Sequence, residues 1–344
     1  MRLPGPSTRK AEGLVPSVAP LPPGPTVRRR LRFAAMSLFA RKSKDADPPP
    51  VPFIVGVGRS GTTMLRLMLD AHPDLAIPPE THFVPDLIDA IAAGATPEQA
   101  AATMTAVRQW GDLHTDPADV VARWQRLDRF EPGPALRAFY AIYAERRGKP
   151  RYGEKTPAYV RNMIKIEGAM PEARFVHVIR DGRDVALSRW KRTLGDKDPA
   201  PASQVAETWA RRVRRARRHG RKVSHYLELR YEDLVTDTEP NLRQIAEFLE
   251  LPWNPGMLTY YEHAAERMAE MARDLPATDG KPTRPGEERM QAHAMTQQPP
   301  DPGAMYRWKE KMSPADVAAF DAAAGELLAD LGYEVGTGSA ATGA

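Results

Sequence analysis

The sequence predicts an α/β fold with a central parallel sheet, helices on both faces and a helical insert. Apolar runs with strand character occupy residues 53–57, 174–179 and 225–230, and a helical pattern follows each of them. Strands that alternate with helices are typical of a parallel sheet buried between helical layers. A Gly-rich turn separates the first run from its helix, which is the arrangement of phosphate-binding α/β folds.

The predicted insert spans about residues 86–150 and is helical over residues 96–147. Its helical part begins at Thr96-Pro97-Glu98-Gln99, a capping box with proline at the first helical position. The helix after the first turn ends before Pro73. Further helices are predicted at residues 185–193, 203–222 and 240–249 and from Ser313 to about Gly332, and residues 270–303 are predicted to form a loop or lid.

The composition of the 344 residues excludes several classes of protein. Hydrophobic residues at 42% and charged residues at 27% are values of a globular protein. No apolar run reaches the roughly 18 residues that a membrane-spanning helix needs. Cysteine is absent, so disulfide scaffolds, thiolate metal sites and cysteine nucleophiles are excluded. We expect a cytoplasmic protein, because a chain without cysteine fits a reducing compartment.

The net charge of +5 comes from the N-terminal segment. Residues 1–52 hold 10 of the 49 basic and 3 of the 44 acidic side chains, which leaves the rest of the chain with a charge of −2. A near-neutral body with a cationic tail is not the charge footprint of a nucleic-acid-binding domain, so no nucleic-acid partner is predicted. We expect residues 1–50, which are rich in basic residues and proline, and residues 336–344 to be disordered around a domain at residues 51–335.

Residues 27–44 (VRRRLRFAAMSLFARKSK) fit a short basic amphipathic helix that contacts anionic lipid weakly. A solvated arm, or sequence translated ahead of a start at Met36, is the simpler explanation of the same charges. The apolar run at residues 33–40 is short, Arg41 ends it and no convincing cleavage site follows. Export is therefore not expected.

The turn GVGRSGTT at residues 56–63 carries the strongest functional signal. Its glycines let backbone N–H groups close on an anion, and the following helix N-terminus adds a partial positive charge. The glycine spacing predicts a P-loop-type fold, but Thr62 stands where a nucleotide P-loop has lysine. Arg59, inside the loop, supplies the cation instead. The predicted phosphate ligands are Arg59, Ser60, Gly61, Thr62 and Thr63.

The stretch GVGRSGTTMLRLMLDAHPDLAIPPETHF, from Gly56 to Phe83, resembles the opening of sulfotransferases that use 3′-phosphoadenosine-5′-phosphosulfate. It is most similar to the tyrosylprotein sulfotransferases and their bacterial relatives. The likeness extends from about residue 52 to residue 333 and is weak across residues 86–150 and 270–303. It implies a P-loop α/β enzyme that moves a sulfuryl group to a hydroxyl of a glycan, a glycolipid, a small metabolite or a tyrosine.

A second block, FVHVIRDGRDVALSRWKR at residues 175–192, contains Arg180 at a strand end and Ser188 and Arg192 in the next helix. Their four-residue spacing puts Ser188 and Arg192 on one helix face. The resemblance implies that Arg180 and Ser188 bind the 3′-phosphate of the donor, and Arg192 can join them. The alternative reading is a solvated helix with charged ends.

Three shorter motifs complete the predicted donor site. The resemblance implies that Lys155, in YGEKTP, approaches the sulfuryl oxygens, whereas the alternative is a surface Glu–Lys pair. Arg307, in YRWK, is expected to close on the nucleotide, while Trp308 fits a core anchor equally well. Tyr231, in RYED, matches a nucleotide-contacting aromatic residue or ordinary packing.

Glu80, in PPETHF, is the predicted general base, because sulfuryl transfer to a hydroxyl needs a group that takes the acceptor proton. His82 is the rival, since many cytosolic sulfotransferases use histidine whereas relatives closer to this sequence use glutamate. Arg59 and Lys155 would neutralise charge on the leaving phosphate, as cations do in phosphoryl transfer. The histidines lack paired metal-ligand spacing, so no metal is predicted.

Two other function classes compete with this hypothesis. A small-molecule P-loop kinase is disfavoured, because the P-loop lysine is missing and the strand end at Arg180 is basic, whereas kinases need Mg²⁺ ligands. A basic nucleic-acid or membrane-surface binder would use the arginines of residues 203–222, but these are spread around the helix without aromatic partners. The oligomeric state and the acceptor are left open.

Overall fold

The computed structural model of the chain describes residues 48–193, 200–278 and 283–336. The segment predicted to contact a membrane, residues 27–44, lies outside this description. So do residues 1–47 and 337–344, which make up nearly all of the ends predicted to be disordered, residues 1–50 and 336–344. The strands are β1 (Val51–Gly56), β2 (Leu75–Ala76), β3 (Arg151–Tyr152), β4 (Glu154–Lys155), β5 (Ala173–Ile179) and β6 (Tyr226–Arg230).

The helices follow the predicted pattern closely. The capping box of α3 is formed in both directions between Thr96 and Gln99. The helix predicted at residues 185–193 begins three residues earlier, and the one predicted at residues 240–249 begins two residues earlier. The α-helices are α1 (Thr62–Asp70), α2 (Val84–Ala92), α3 (Pro97–Thr105), α4 (Pro117–Trp124), α5 (Pro132–Arg146), α6 (Met163–Ala169), α7 (Gly182–Thr193), α8 (Ala202–Gly220), α9 (Tyr231–Thr236), α10 (Thr238–Phe248), α11 (Tyr261–Ala269), α12 (Gly286–Gln291), α13 (Trp308–Lys311) and α14 (Pro314–Asp330).

The region predicted as a loop or lid at residues 270–303 is more ordered than expected where it is described. It contains α12 and two short 3-10 helices, and α11 precedes it without having been predicted. Within the described ranges, no helix combines the length and the apolar character that crossing a bilayer requires. The 3-10 helices of the described chain are Trp110–Leu113, Pro157–Arg161, Pro255–Met257, Ala294–Gln297 and Pro302–Ala304.

The central sheet has the strand order β4-β1-β5-β6, and every neighbouring pair in it is parallel. The short strands β2 and β3 form a separate parallel pair. The predicted parallel α/β fold is therefore confirmed. Because all four central strands run the same way, their carboxyl ends meet at one edge, where open α/β sheets bind their ligands.

Alternation along the strands divides the core between the two faces of the sheet. Val51, Phe53 and Val55 of β1 are buried against the helical insert and α6, whereas Ile54 is buried against α1 and the helices α9–α11. Successive strand residues point to opposite faces, so a strand covered on both sides needs apolar residues at every position. A third cluster at the carboxyl edge joins Ile179 to α7, α8 and α14.

Candidate active site

The carboxyl edge of the sheet collects the residues that the motifs singled out. Gly56 ends β1, Lys155 ends β4, Arg180 follows β5 and Tyr231 follows β6. The pairing Gly56↔Val178 and Ile179↔Arg230 sets these strand ends side by side. Parallel pairing thus brings together residues that are more than a hundred positions apart in the chain.

The phosphate turn, residues 56–63, has the backbone that an anion-binding loop requires. Gly61 adopts a φ of 89°, and a β-carbon there would lie 2.3 Å from the ring of Tyr231. Only glycine therefore allows this turn to rest on that ring. Arg59 also takes a left-handed conformation, with a φ of 81°, which costs a non-glycine residue about 1–2 kcal/mol. Such backbone strain is concentrated at functional sites.

The turn also presents polar groups that suit an anionic ligand. The hydroxyl of Ser60 is buried and has no hydrogen-bond partner among the described residues. No side chain caps the N-terminus of α1, where the buried Thr62 and Thr63 stand. The first N–H groups of a helix have no partner within the helix. These donors fit a phosphate or phosphosulfate group.

Arg59 links the phosphate turn to the second predicted block. Its Nε donates a 2.8 Å hydrogen bond to the Oγ of Ser188 on α7. The structure thus brings together two residues that are 129 positions apart. The predicted contact of Arg192 concerns a side chain that lies outside the described part of the structure, although its backbone belongs to α7.

Arg180 stands at the other end of the surface formed by the phosphate turn, Ser188 and Arg180, which we call the cradle. Its guanidinium lies 4.4 Å from the ring centroid of Tyr231, a cation–π contact, and donates to the carboxylate of Asp184 at 3.3 Å. Its buried Nε has no partner among the described residues. Tyr231 therefore lies between Gly61 and Arg180 and sets the spacing between the two cationic parts of the cradle.

Sequence reasoning missed Asp184, which connects Arg180 to the last predicted motif. The Oδ1 of Asp184 accepts the backbone N–H of Trp308 at 3.0 Å. Burial raises the pKa of this carboxyl, and the charge of Arg180 partly opposes the shift. Trp308 is buried under Arg183, whose guanidinium carbon lies 3.5 Å from the ring centroid, so the core-anchor reading of Trp308 fits. Arg307 is exposed at the start of α13.

A segment that we call the strap, residues 286–304, crosses over both arginines of the cradle. Arg59 donates to the carbonyl of Ala292 at 3.2 Å, and Arg180 donates to the carbonyl of Ala304 at 2.7 Å. A buried ion pair from Arg289 to Asp112 fastens the strap to the helical insert. The region predicted as a lid thus contacts the site through backbone carbonyls. A phosphate oxygen is also a hydrogen-bond acceptor, so it can take the place of each carbonyl as the partner of Arg59 or Arg180.

Glu80 lies between two hydrogen-bond donors. Lys155 donates to its Oε1 at 2.7 Å, and the Nε2 of His82 lies 2.9 Å from its Oε2. The Lys155 side chain is 2% exposed and the Glu80 side chain 31% exposed, so the pair lies at the floor of an open site. Burial raises the pKa of Glu80, but the charges and hydrogen bonds of Lys155 and His82 outweigh it and hold the pKa well below its usual range.

Lys155 does not belong to a surface Glu–Lys pair, which was the alternative to a role in the site. Lys155 and Glu154 are both buried, and β4 is the edge strand that pairs with β1. Burial lowers the pKa of Lys155, and the Glu80 carboxylate opposes that shift only in part. The buried ammonium therefore depends on an anionic partner, because leaving such a charge unpaired is costly.

Two open clefts, of about 370 and 380 Å³, lie beside this ion pair, and His82 lines both of them. One is bordered by Tyr159 and Arg215, the other by Val107 and Thr278. His82 therefore connects the walls of both clefts to Glu80, which it contacts at 2.9 Å. The motif PPETHF could not show that His82 lies between these two clefts and the Glu80 carboxylate, because the clefts are formed by distant parts of the chain.

His293 on the strap is a second residue that sequence reasoning missed. Burial and the positive charges of Lys155 and Arg59 lower its pKa to about 3, so the imidazole is neutral at physiological pH. No motif marks it, because its place beside the site depends on the path of the strap. Among the described residues, no group of three or more His, Asp or Glu side chains is arranged to hold a metal ion.

Comparison with known proteins gives consistent results. The sequence model of the sulfotransferase family matches residues 50–255. The chain is 27% identical over 290 residues to protein-tyrosine sulfotransferase 1 of Danio rerio, covering 83% of this chain and 72% of that protein. It is 28% identical over 316 residues to protein-tyrosine sulfotransferase 1 of Homo sapiens, covering 90% and 75%. The sulfotransferase domain of the Synechococcus PCC 7002 olefin synthase, at 24% identity, superposes with a TM-score of 0.54 over 86% of this chain and 98% of that domain, which shows a common fold.

Proposed function

Since the chain belongs to the sulfotransferase family, we propose that its active site uses 3′-phosphoadenosine-5′-phosphosulfate as the donor and Glu80 as the proton acceptor. The activity predicted from the motifs is confirmed: the chain is an enzyme that transfers a sulfuryl group to an acceptor hydroxyl. The family implies this donor. The residues that bind it and the nature of the acceptor are our proposals.

The donor lies across the cradle in this proposal. The phosphate turn and the N-terminus of α1 bind the 5′-phosphosulfate, with Arg59 as the cation. Arg180 and Ser188 bind the 3′-phosphate, and the exposed Arg307 closes on the nucleotide from the end of the strap. The observation that carries this assignment is the Arg59–Ser188 hydrogen bond, because it joins the two phosphate-binding blocks into one cationic surface.

The chemical step is an in-line displacement at sulfur. The acceptor oxygen forms a bond to sulfur while the bond from sulfur to the bridging phosphate oxygen breaks, which releases 3′,5′-adenosine bisphosphate. The acceptor proton passes to Glu80 and then to solvent through a cleft beside His82. Arg59 and Lys155 neutralise the charge that develops on the leaving phosphate and on the sulfuryl oxygens.

Lys155 couples the two halves of this site. Its ammonium binds the Oε1 of Glu80, where it helps to lower the pKa of that carboxyl. When sulfuryl oxygens attract the ammonium, Glu80 loses part of that hydrogen bond and its pKa rises toward the usual value. Donor binding would therefore make Glu80 a better base at the moment when a base is needed.

We propose a phenolic hydroxyl, such as that of tyrosine, as the acceptor. A carboxylate whose pKa is held low is a weak base, and a phenol with a pKa of about 10 gives up its proton more readily than a sugar hydroxyl does. The names of the relatives, protein-tyrosine sulfotransferases, favour the same chemistry. A glycan, a glycolipid or another small metabolite is the competing class of acceptor.

A thermal-shift comparison tests the donor assignment. Saturation with 3′,5′-adenosine bisphosphate at about 100 times its dissociation constant should stabilise the protein by roughly 2.7 kcal/mol. ADP should stabilise it much less, because only the bisphosphate offers a 3′-phosphate to Arg180 and Ser188. Equal shifts with both nucleotides, or a shift that requires Mg²⁺, would refute the assignment. Transfer of ³⁵S from labelled donor to a phenol and to a matched sugar then identifies the acceptor class.

A further inference from the structure

We propose that Glu154 is a positioning residue for the sulfuryl transfer: from beneath the site it holds Thr81 and, through Thr81, the turn that carries Glu80 and His82. This inference rests on the proposed role of Glu80 as the base. Glu154 makes no contact with Glu80 itself. Its effect on the reaction would pass through the backbone of the turn at residues 80–84.

Glu154 is the acceptor at the centre of a fully buried polar cluster. Its Oε2 accepts the hydroxyl of Thr81 at 3.0 Å and that of Tyr140 at 2.6 Å. Its Oε1 accepts the hydroxyl of Thr156 at 2.6 Å, and Thr156 in turn accepts the backbone N–H of Thr81 at 3.1 Å. Two side chains of the 154–156 segment thus grip one residue of the turn.

Each hydroxyl proton of this cluster has an acceptor. Because the single hydroxyl proton of Thr81 goes to Glu154, the 2.7 Å contact between Thr81 and Tyr159 must be donated by Tyr159. The oxygen of Tyr159 accepts the backbone N–H of Val84 at 3.0 Å. The chain of hydrogen bonds therefore runs from Val84 through Tyr159 and Thr81 to Glu154, and it fixes both ends of the turn.

The residue between these anchors needs to be held. His82 adopts a left-handed backbone conformation with a φ of 59°, which is unfavourable for a residue with a β-carbon. In that conformation its Nε2 reaches Glu80 at 2.9 Å. Anchored on both sides, at Thr81 and Val84, the turn keeps His82 in this geometry and keeps the Glu80 carboxylate facing Lys155.

The strand β4 acts on the turn with two consecutive side chains. Neighbouring strand residues point to opposite sides, so Glu154 reaches into the core beside Tyr140 while Lys155 reaches Glu80. Lys155 holds the reacting carboxylate and Glu154 holds the next residue of its backbone. This arrangement separates a group that touches the reacting atoms from one that only positions them.

Two hydroxyl groups that donate to the same oxygen of Glu154 provide a matched test. Thr81→Val and Tyr140→Phe each remove one buried donor to Oε2, but only the first releases the turn. We expect Thr81→Val to lower kcat roughly 10- to 100-fold, the effect of a misplacement on the order of 1 Å. Tyr140→Phe should keep kcat within about threefold of the wild-type value, even if it lowers the melting temperature as much as Thr81→Val does. The dissociation constant of 3′,5′-adenosine bisphosphate should stay within twofold in both.

Conservative variants separate hydrogen bonding from bulk and charge. Thr81→Ser keeps the hydroxyl and should restore most of kcat. Glu154→Gln keeps a carbonyl oxygen for Thr81 and Tyr140 but turns its NH2 group to the Thr156 hydroxyl, which loses its acceptor, so its loss of kcat should be smaller than that of Glu154→Met. Glu154→Met offers no acceptor and should resemble Thr81→Val. If Thr81→Val does not fold, Tyr159→Phe replaces it as the test: Thr81 keeps its bonds to Glu154 and Thr156, but Val84 loses its anchor, so the turn is released at one end and kcat should fall, though by less. Wild-type kcat in Tyr159→Phe would then count against the inference.

The outcomes distinguish this inference from the proposed function. A wild-type protein that neither binds the bisphosphate nor transfers sulfuryl groups refutes the proposed function itself. If the wild type is active, the inference is overturned when Tyr140→Phe loses as much kcat as Thr81→Val, or when Thr81→Val retains wild-type kcat. A large loss of kcat in Thr81→Val, with rescue by Thr81→Ser and unchanged nucleotide affinity, supports it.

Discussion

The proposed base side of the active site, around Glu80, and its proposed donor side, around Arg59 and Arg180, are held in different ways. Around Glu80, the partners are side chains, of which Lys155 is buried, and in the polar cluster beneath Thr81 every hydroxyl proton has an acceptor. Around Arg59 and Arg180, two of the partners are backbone carbonyls of the strap, and Ser60 and Arg180 each keep a buried polar atom without a described partner.

This difference matches what each side has to do: the base has to keep its position, whereas the contacts of the nucleotide site have to form and break in each reaction cycle. A general base must stand within a few tenths of an ångström of its reacting position, so preorganised buried hydrogen bonds suit it. A nucleotide site must release its product, so contacts that can be exchanged for phosphate oxygens suit it. The four predictions that follow test each side, from the largest expected effect to the smallest.

The base side should show the largest effect when its carboxylate is neutralised. Glu80→Gln keeps the shape of the side chain but removes the proton acceptor, so turnover should fall by roughly 10²–10⁴-fold while bisphosphate affinity is retained. His82→Gln, the matched control, should be much milder because His82 orients Glu80 and borders the clefts. If His82→Gln abolishes turnover and Glu80→Gln does not, the two residues have the opposite roles.

The donor side should respond in binding rather than in the chemical step. Arg180→Gln removes a charged donor and should weaken bisphosphate binding about 10- to 100-fold, the range expected for one charge-assisted hydrogen bond. Binding of ADP should change by much less. Arg217→Gln is the control, because Arg217, on α8, pairs with Glu228 of β6 and Asp330 of α14 and belongs to none of the motifs. Equal weakening for both nucleotides would contradict the 3′-phosphate assignment.

The strap should open more readily when its anchor is removed. Arg289→Met breaks the ion pair to Asp112 and leaves a buried carboxylate unpaired, a change that typically costs about 3–5 kcal/mol. Limited proteolysis within residues 286–304 should accelerate at least roughly tenfold, in proportion to the open population. Saturating bisphosphate should restore part of the protection. Unchanged cleavage would mean that the strap is held elsewhere.

The smallest effect concerns acid stability. The pKa of Glu80 is held below its ordinary value of 4.5, so its contacts stabilise the fold fully above pH 4.5 and lose this contribution as the pH falls further. The difference in unfolding free energy between wild type and Glu80→Gln should therefore be constant above about pH 5 and shrink below pH 4.5. A difference that grows on acidification would show that the carboxylate is not stabilised in the folded protein.

The placement of the proposed donor side could be predicted from the sequence, because its information is local. A glycine turn between an apolar run and a helix defines a phosphate site within a few residues, and parallel pairing of β1 and β5 then brings Arg180 beside it. The base side could be predicted only as a motif. The charges at Glu154 and Lys155 look like a surface pair, and their burial depends on partners such as Thr81 and Tyr140 that lie elsewhere in the chain.

Asp184 and His293 show the same limit. Asp184 gains its role from the backbone of Trp308, 124 positions away, and no spacing rule connects them. His293 has no motif around it, and its neutral state comes from burial beside Lys155 and Arg59. Residues whose function depends on the path of a long connection cannot be found by periodicity or motif spacing.

Hydrogen–deuterium exchange with and without 3′,5′-adenosine bisphosphate tests the contrast between the two sides most directly. Peptides from the phosphate turn and the strap should change their exchange on binding, because Arg59 and Arg180 exchange carbonyl partners for phosphate oxygens. Peptides covering residues 80–84 and 154–156 should change little on binding, since the backbone N–H groups of Thr81 and Val84 already donate to buried side chains. Fast exchange at residues 80–84 that slows only with nucleotide, together with an unchanged strap, would contradict a preset base and an exchangeable donor cradle.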